Sequence, residues 1–413
     1  MTSPVWHPFT QHGLNEPVPL VTRAEGAVLH TADGRRVIDA ISSWWVTTHG
    51  HCHPRIMAAI RDQAEKLDQL IFAGWTHEPA EAVANALVAM MPRPLDHVFF
   101  SDSGSTSVEV ALKMALGHFA NRGEDRHRIV VMEGSYHGDT VGGMSVGARG
   151  VFSRSYAPLL FDVDVIPFPE IGAEQATLDA FERLCAGRPA ALIVEPLLLG
   201  SGGMRIYPAW VLKALRDLCA AHGVLFIADE VMTGWGRTGS LLACDQAGIV
   251  PDLLCLSKGL TGGSLPLAVT MATGEIFESH CSEDRARMFF HSSSYTANPI
   301  ACAAAAANLQ IWSEEPVLDR VADLARRQGL HAEKLAGKVH NPRQLGTVVA
   351  MEMEGRGSAY LSALGPRLMT FFRERDVLLR PLGNTVYVMP PYCISDDDLA
   401  RVYAVIEEAV SVG

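Results

Sequence analysis

The sequence predicts an α/β protein built on a mainly parallel sheet, and three observations predict it. Apolar runs of strand length alternate with helical patterns from roughly Val98 to Thr273, the mark of a layered α/β domain. Two of those runs lead into residues suited to chemistry, Val224-Leu225-Phe226-Ile227-Ala228 into Asp229 and Leu253 to Leu256 into Ser257-Lys258-Gly259. A third, Val98-Phe99-Phe100, leads into the small-residue turn Ser101-Asp102-Ser103-Gly104-Ser105-Thr106.

In chain order, Ala24-Glu25-Gly26 and Ala32-Asp33-Gly34-Arg35 punctuate short strand-like pieces such as Ala27 to His30. Residues 1–50 are therefore expected to form an N-terminal arm with a hairpin and part of a smaller domain. Residues 51–300 read as the large domain. Its expected strands are Val98 to Phe100, Ile129 to Met132, Ala191 to Val194, Val224 to Ala228, Leu253 to Leu256 and Leu267 to Ala272. After the first of them Val108, Ala111, Leu112, Ala115 and Phe119 recur at helical spacing. Residues 301–413 read as a smaller α+β domain that closes over the crevice. It opens with an Ala-rich helix through Leu309 and Trp312 and holds strands at Val348 to Met353 and Val386 to Met389. Alanine is the strongest helix former, so Ala303 to Ala307 reads as tight helix packing and not as disorder.

Composition narrows the function classes. With 413 residues and 48% hydrophobic content the chain can bury a large core. A net charge of -12 without a basic cluster argues against nucleic acid as a partner. The 8 cysteines lack CxxC spacing, and Cys255 and Cys302 lie in apolar surroundings, which suits reduced core residues of a cytosolic protein. The N-terminus shows no apolar leader and no stretch is long and charge-free enough to cross a bilayer, so a soluble cytoplasmic protein is expected.

Two strands ending side by side in a parallel sheet would put Asp229 and Lys258 at one crevice, where open α/β sheets bind ligands. The pair suits pyridoxal phosphate: a lysine to hold it covalently and a carboxylate to keep its ring nitrogen protonated. A flexible turn that opens a helix offers free N–H groups and a positive dipole end to a phosphate. Taken singly, each feature has an ordinary reading as a capped helix start, a strand-end cap or a solvated turn lysine.

Three longer motifs add a family resemblance over nearly the whole chain, from about Trp6 onward. Gly134-Ser135-Tyr136-His137-Gly138-Asp139-Thr140, Ala228-Asp229-Glu230-Val231 with Gly234-Trp235-Gly236-Arg237-Thr238-Gly239, and Ser257-Lys258-Gly259-Leu260-Thr261-Gly262-Gly263 resemble class III pyridoxal-phosphate aminotransferases of fold type I. Within that class, Trp6-His7-Pro8-Phe9-Thr10, Ser42-Ser43-Trp44-Trp45, Arg380-Pro381-Leu382-Gly383 and Tyr387-Val388-Met389-Pro390-Pro391-Tyr392 are similar to the branch that aminates 8-amino-7-oxononanoate in biotin synthesis. The resemblance implies a homodimer with its active site at the subunit interface and pyridoxal 5'-phosphate as cofactor. Lys258 would hold the cofactor and then shuttle the proton, and Asp229 would pair with the ring nitrogen. Tyr136 would stack on the ring, Gly104 and Ser105 would bind the phosphate, and Ser294 would add a hydroxyl from the partner subunit.

A long apolar keto acid needs a cation at the far end of an apolar channel, and Arg380 fits that need, its alternative being a surface ion pair. Trp44 and Trp45 would supply the channel wall. On a strand the two could not share a face, so Trp44 is taken as the site residue and Trp45 as packing. Arg237 and Tyr387 are further substrate candidates. S-adenosylmethionine is the expected donor, and its sulfonium could lie against an aromatic face. Phe9 stands where adenosylmethionine-using relatives typically carry Tyr, which leaves lysine open as an alternative; an ω-amino acid:pyruvate aminotransferase is the other rival. Ser201 before Gly202-Gly203 and Met232 both depart from the ornithine and γ-aminobutyrate patterns. His49, His51 and His53 form an HxHxH string, read as a turn and not as a metal site.

Overall fold

The computed structural model describes residues 3–353 and 364–410. Along the chain its strands are β1 (Val21–Glu25), β2 (Val28–Thr31), β3 (Arg36–Asp39), β4 (Leu95–Ser101), β5 (Ile129–Met132), β6 (Asp164–Ile166) and β7 (Ala191–Val194). The two-residue β8 (Leu198–Leu199) and β9 (Arg205–Ile206) follow, then β10 (Leu225–Asp229), β11 (Leu253–Leu256) and β12 (Ala268–Thr273). The last are β13 (His340–Leu345), β14 (Val348–Glu352), β15 (Val377–Leu378) and β16 (Thr385–Val388).

Seven strands form the central sheet in the order β4-β12-β11-β10-β7-β5-β6. β12 runs antiparallel to both of its neighbours, and the remaining pairs are parallel. Every residue of β5, β7 and β11 is buried, as unbroken apolar runs in a sheet covered on both faces require. All six expected strands of this region are present. β6 escapes a reading based on apolar runs because it is only three residues long and only Ile166 in it is buried.

The helix Gly104–Asn121 lies on the sheet and buries Val108, Ala111, Leu112, Ala115 and Phe119, the positions its spacing singled out. The helix Pro299–Glu314 buries Ala301, Ala304, Ala305 and Ala307 and packs closely on the helices Pro54–Ala64 and Glu78–Met90. Small side chains let the three backbones approach.

The two ends of the chain meet in one sheet of order β1-β2-β3-β15, with β15 parallel to β3. Arg36 in β3 holds Asp398 of the last helix by two hydrogen bonds of 2.7 and 2.8 Å. β13, β14 and β16 make a separate antiparallel sheet. Among the described residues no helix is long and apolar enough to cross a membrane.

Candidate active site

Asp229 is the last residue of β10, and Lys258 follows β11 by two positions. The strands pair in parallel with Asp229 opposite Cys255, so both side chains leave the sheet at the same edge. They meet in a cavity of about 140 Å³ whose lining includes Trp45, Gly104, Ser105, Tyr136, Asp229 and Lys258. Five residues expected from the sequence to act on the cofactor are thus brought together: Lys258, Asp229, Tyr136, Gly104 and Ser105.

The Asp229 carboxylate is held on both oxygens. Oδ2 accepts from Nδ1 of buried His137 at 2.7 Å and Oδ1 from the Val231 amide at 3.1 Å. His137 Nε2 has no partner among the described residues. His137 lies inside a quoted motif, yet its place beside Asp229 was not foreseen, because sequence adjacency to Tyr136 says nothing of a residue 92 positions away.

Burial pulls the Lys258 amine down from its usual 10.5 to about 8; Asp229 and Glu195 oppose the shift and Arg237 adds to it. Glu195 is the second residue the sequence did not single out. Its Oε1 accepts from the Tyr136 amide at 2.9 Å and its Oε2 from the Gly200 amide at 3.0 Å. Burial first, and then the Asp229 charge, push it up to about 7 against the pull of His137 and those two amides. Burial likewise raises the Tyr136 phenol above its ordinary range.

At the helix start Ser103 caps the Thr106 amide, while the amides of Gly104 and Ser105 take no partner among the described residues. A side chain at position 104 would have no room, since a Cβ there would stand 2.6 Å from Val231 Cγ1. These features fit pyridoxal phosphate: two open amides at a helix start for a phosphate, a carboxylate fixed by His137 for a ring nitrogen, and a lysine between them.

The Trp44-Trp45 segment is no strand. Ser42, Ser43, Trp44 and Trp45 have φ of 51, 47, 76 and 73°, one turn of left-handed backbone without glycine. Each such residue costs roughly 1–2 kcal/mol against right-handed backbone. The turn sends its two indoles to different places. Trp45 is buried and lies over Lys258, with Nζ 5.3 Å from its ring centre. Trp44 instead lines a second, apolar cavity of about 380 Å³ with Arg380. The Arg380 guanidinium is 4.9 Å from the Trp44 ring and donates to the Phe9 carbonyl at 3.4 Å. Phe9 sets its ring edge to face with Trp44 at 5.5 Å. Among the described residues no carboxylate pairs with Arg380.

Other expected residues fall elsewhere. Arg237 is buried, with its guanidinium donating to the carbonyls of Thr47 at 2.9 Å, Pro390 at 3.1 Å and Trp45 at 3.4 Å, so it clasps backbone and lines neither cavity. Tyr387 is also buried, and its hydroxyl accepts from Trp45 Nε1 at 3.0 Å, so it positions Trp45. Trp45, expected only to pack, lines the Lys258 cavity. Ser294 is exposed, outside that cavity. In the histidine string, His51 bonds Asp39 at 2.8 Å and His49 stacks edgewise on Trp312 and Tyr392.

Residues 10–410 match the Aminotransferase class-III family. The adenosylmethionine-8-amino-7-oxononanoate aminotransferase of Synechococcus elongatus is 47% identical over 414 residues, covering 98% of this chain and 97% of its own. The same-named protein of Geobacter sulfurreducens is 35% identical over 98% of this chain and 95% of its own. Among solved structures, the adenosylmethionine-8-amino-7-oxononanoate aminotransferase of Methanocaldococcus jannaschii superposes with a TM-score of 0.95 at 32% identity, over 99% of this chain and 97% of that one. An amine transaminase from an uncultivated Pseudomonas species, solved in a PLP-bound form, gives 0.92 at 29% identity over 100% and 99%.

Proposed function

The chain belongs to the class III aminotransferases, and on that premise we propose that it converts 8-amino-7-oxononanoate to 7,8-diaminononanoate in biotin biosynthesis, with S-adenosylmethionine as donor. The observation that carries the chemistry is the convergence of Lys258, the His137-backed Asp229 and the open helix start at Gly104 on one cavity.

Pyridoxal phosphate, when bound, supplies an electron sink for the pair released as the substrate carbon loses its proton. The residues of the chain do the rest. Gly104 and Ser105 offer amides to the phosphate, with Ser294 of a second copy as a further donor. Asp229 would keep a proton at the ring nitrogen, and His137 fixes the carboxylate that would do so. Tyr136 would cover the ring. Lys258 moves the proton: an amine titrating near 8 exists partly in its neutral, proton-accepting form at neutral pH. Trp45 beside it excludes water. At the far end, Arg380 meets the keto acid's carboxylate, flanked by Trp44 and Phe9.

Lysine as donor is the second reading, and Phe9 favours it, because a ring without a hydroxyl gives adenosylmethionine one polar contact fewer. The assembly we propose is a cytoplasmic homodimer. Its large domain is built on 51–300 with the whole of the helix Pro299–Glu314, which packs on Pro54–Ala64 and Glu78–Met90, and the small domain is drawn from 1–50 and the rest of 301–413. The test is product formation. Enzyme supplied with 8-amino-7-oxononanoate and either donor should yield 7,8-diaminononanoate by mass spectrometry. Activity with β-alanine and pyruvate but none with the oxononanoate would place the chain among ω-amino acid transaminases instead.

A further inference from the structure

We propose that Asp39 is a positioning residue for the amino transfer: it holds the left-handed Ser42–Trp45 turn in the shape that sets Trp45 at Lys258 and Trp44 at Arg380. The inference rests on the function proposed above, in which the keto acid reaches from the lysine to the arginine.

Asp39 ends β3 with its side chain fully buried. The carboxylate has four donors. Oδ1 accepts from the amides of Ile41 at 3.2 Å and Ser43 at 2.9 Å, and Oδ2 accepts from Ser43 Oγ at 3.0 Å and His51 Nε2 at 2.8 Å. Three of the four belong to the turn or its entry. A buried carboxylate is tolerated only where donors surround it, so this acid selects the backbone shape that brings them in. The shape needs selecting, because four successive non-glycine residues at positive φ are disfavoured without outside contacts.

Other groups grip the turn at its remaining residues. Ser42 Oγ donates to the Met389 carbonyl at 2.8 Å, Arg237 takes the Trp45 and Thr47 carbonyls, and Tyr387 takes the Trp45 indole N–H. Asp39 differs from these in bonding the Ser43 amide, inside the turn and directly before the two indoles. The cavities of Lys258 and Arg380 share the turn as a wall, with Trp45 on one side and Ser43 and Trp44 on the other. One carboxylate thus sets the spacing between the reacting end of the substrate and its anionic end.

The test uses full-length holoenzyme carrying Asp39→Asn, Trp44→Ala or both, with 8-amino-7-oxononanoate varied at saturating donor and melting temperatures recorded alongside. Asp39→Asn should raise KM for the keto acid about ten-fold with a smaller fall in kcat. Its melting temperature should stay within a few degrees of wild type. Added to Trp44→Ala, it should raise KM no further, since both changes weaken keto-acid binding through the Trp44 indole, while its fall in kcat, which acts through Trp45, should remain. A wild-type KM in Asp39→Asn, or increases that multiply in the double variant, would overturn the proposal. Wild-type enzyme inactive on this keto acid but active on another would defeat the functional reading alone, and the same cycle run with the accepted substrate would then decide the role of Asp39. If Asp39→Asn gives no folded holoenzyme, Ser43→Ala removes the hydroxyl donor only; it should raise KM about two- to three-fold, and an unchanged KM there overturns the proposal equally.

Discussion

Lys258 has to be neutral to do its work, and burial makes it so at a pH where an exposed lysine would be charged. The rate at which apoenzyme takes up pyridoxal phosphate should therefore rise through a midpoint near 8. A rate still climbing toward 10.5 would show that the amine is not desolvated. The same shift carries a stability sign: the unfolded chain keeps this proton up to its usual 10.5, so apoprotein stability should rise with pH between about 8 and 10.5. Lys258→Ala should abolish turnover and leave the circular dichroism spectrum unchanged. Arg380→Ala should raise KM for the keto acid by roughly ten- to a hundred-fold, the worth of a charge-assisted carboxylate contact; an unchanged KM would move the anion site elsewhere. At this scale the sequence was readable where a reactive residue ends an apolar strand, as Asp229 does, or closely follows one, as Lys258 does. It was not readable at Trp44 and Trp45, where left-handed backbone without glycine leaves no local signature. Nor does a motif reveal whether a guanidinium such as that of Arg237 points at solvent, ligand or backbone.

The helix Gly104–Asn121 shows how an element can be made for a ligand. Its core face was legible from spacing alone, and its open amides follow from the cap being spent on Thr106. Gly104→Ala forces a Cβ to within 2.6 Å of Val231 Cγ1, a stiff β-branched neighbour, so the helix start has to shift. Overpacking of this kind costs about 1–3 kcal/mol, and cofactor affinity in a fluorescence titration should fall by about ten- to a hundred-fold. Unchanged affinity would show that the phosphate does not seat there. The Ala-rich helix Pro299–Glu314 was readable for the complementary reason, that small side chains serve close packing. β8, β9 and β15 were not, since two residues cannot display a period.

For the whole molecule, alternation of runs foretold the central sheet but not that β15 would complete the sheet begun by β1 to β3, a pairing between residues more than three hundred positions apart. Such contacts are set by tertiary packing and leave no local trace. Exposed Ile71, Trp75, Phe290 and Tyr295 are large apolar groups of the kind an interface between subunits covers. Sedimentation should accordingly give about twice the 44.7 kDa chain mass, and a monomer active at the same specific rate would exclude a shared site. The most direct measurement is single-turnover absorbance of purified holoenzyme, mixed first with S-adenosylmethionine and then with 8-amino-7-oxononanoate. The expected result is loss of the visible cofactor band on donor addition and its return with the keto acid, with 7,8-diaminononanoate released. A band lost to either donor that pyruvate restores and the oxononanoate does not would contradict the assignment.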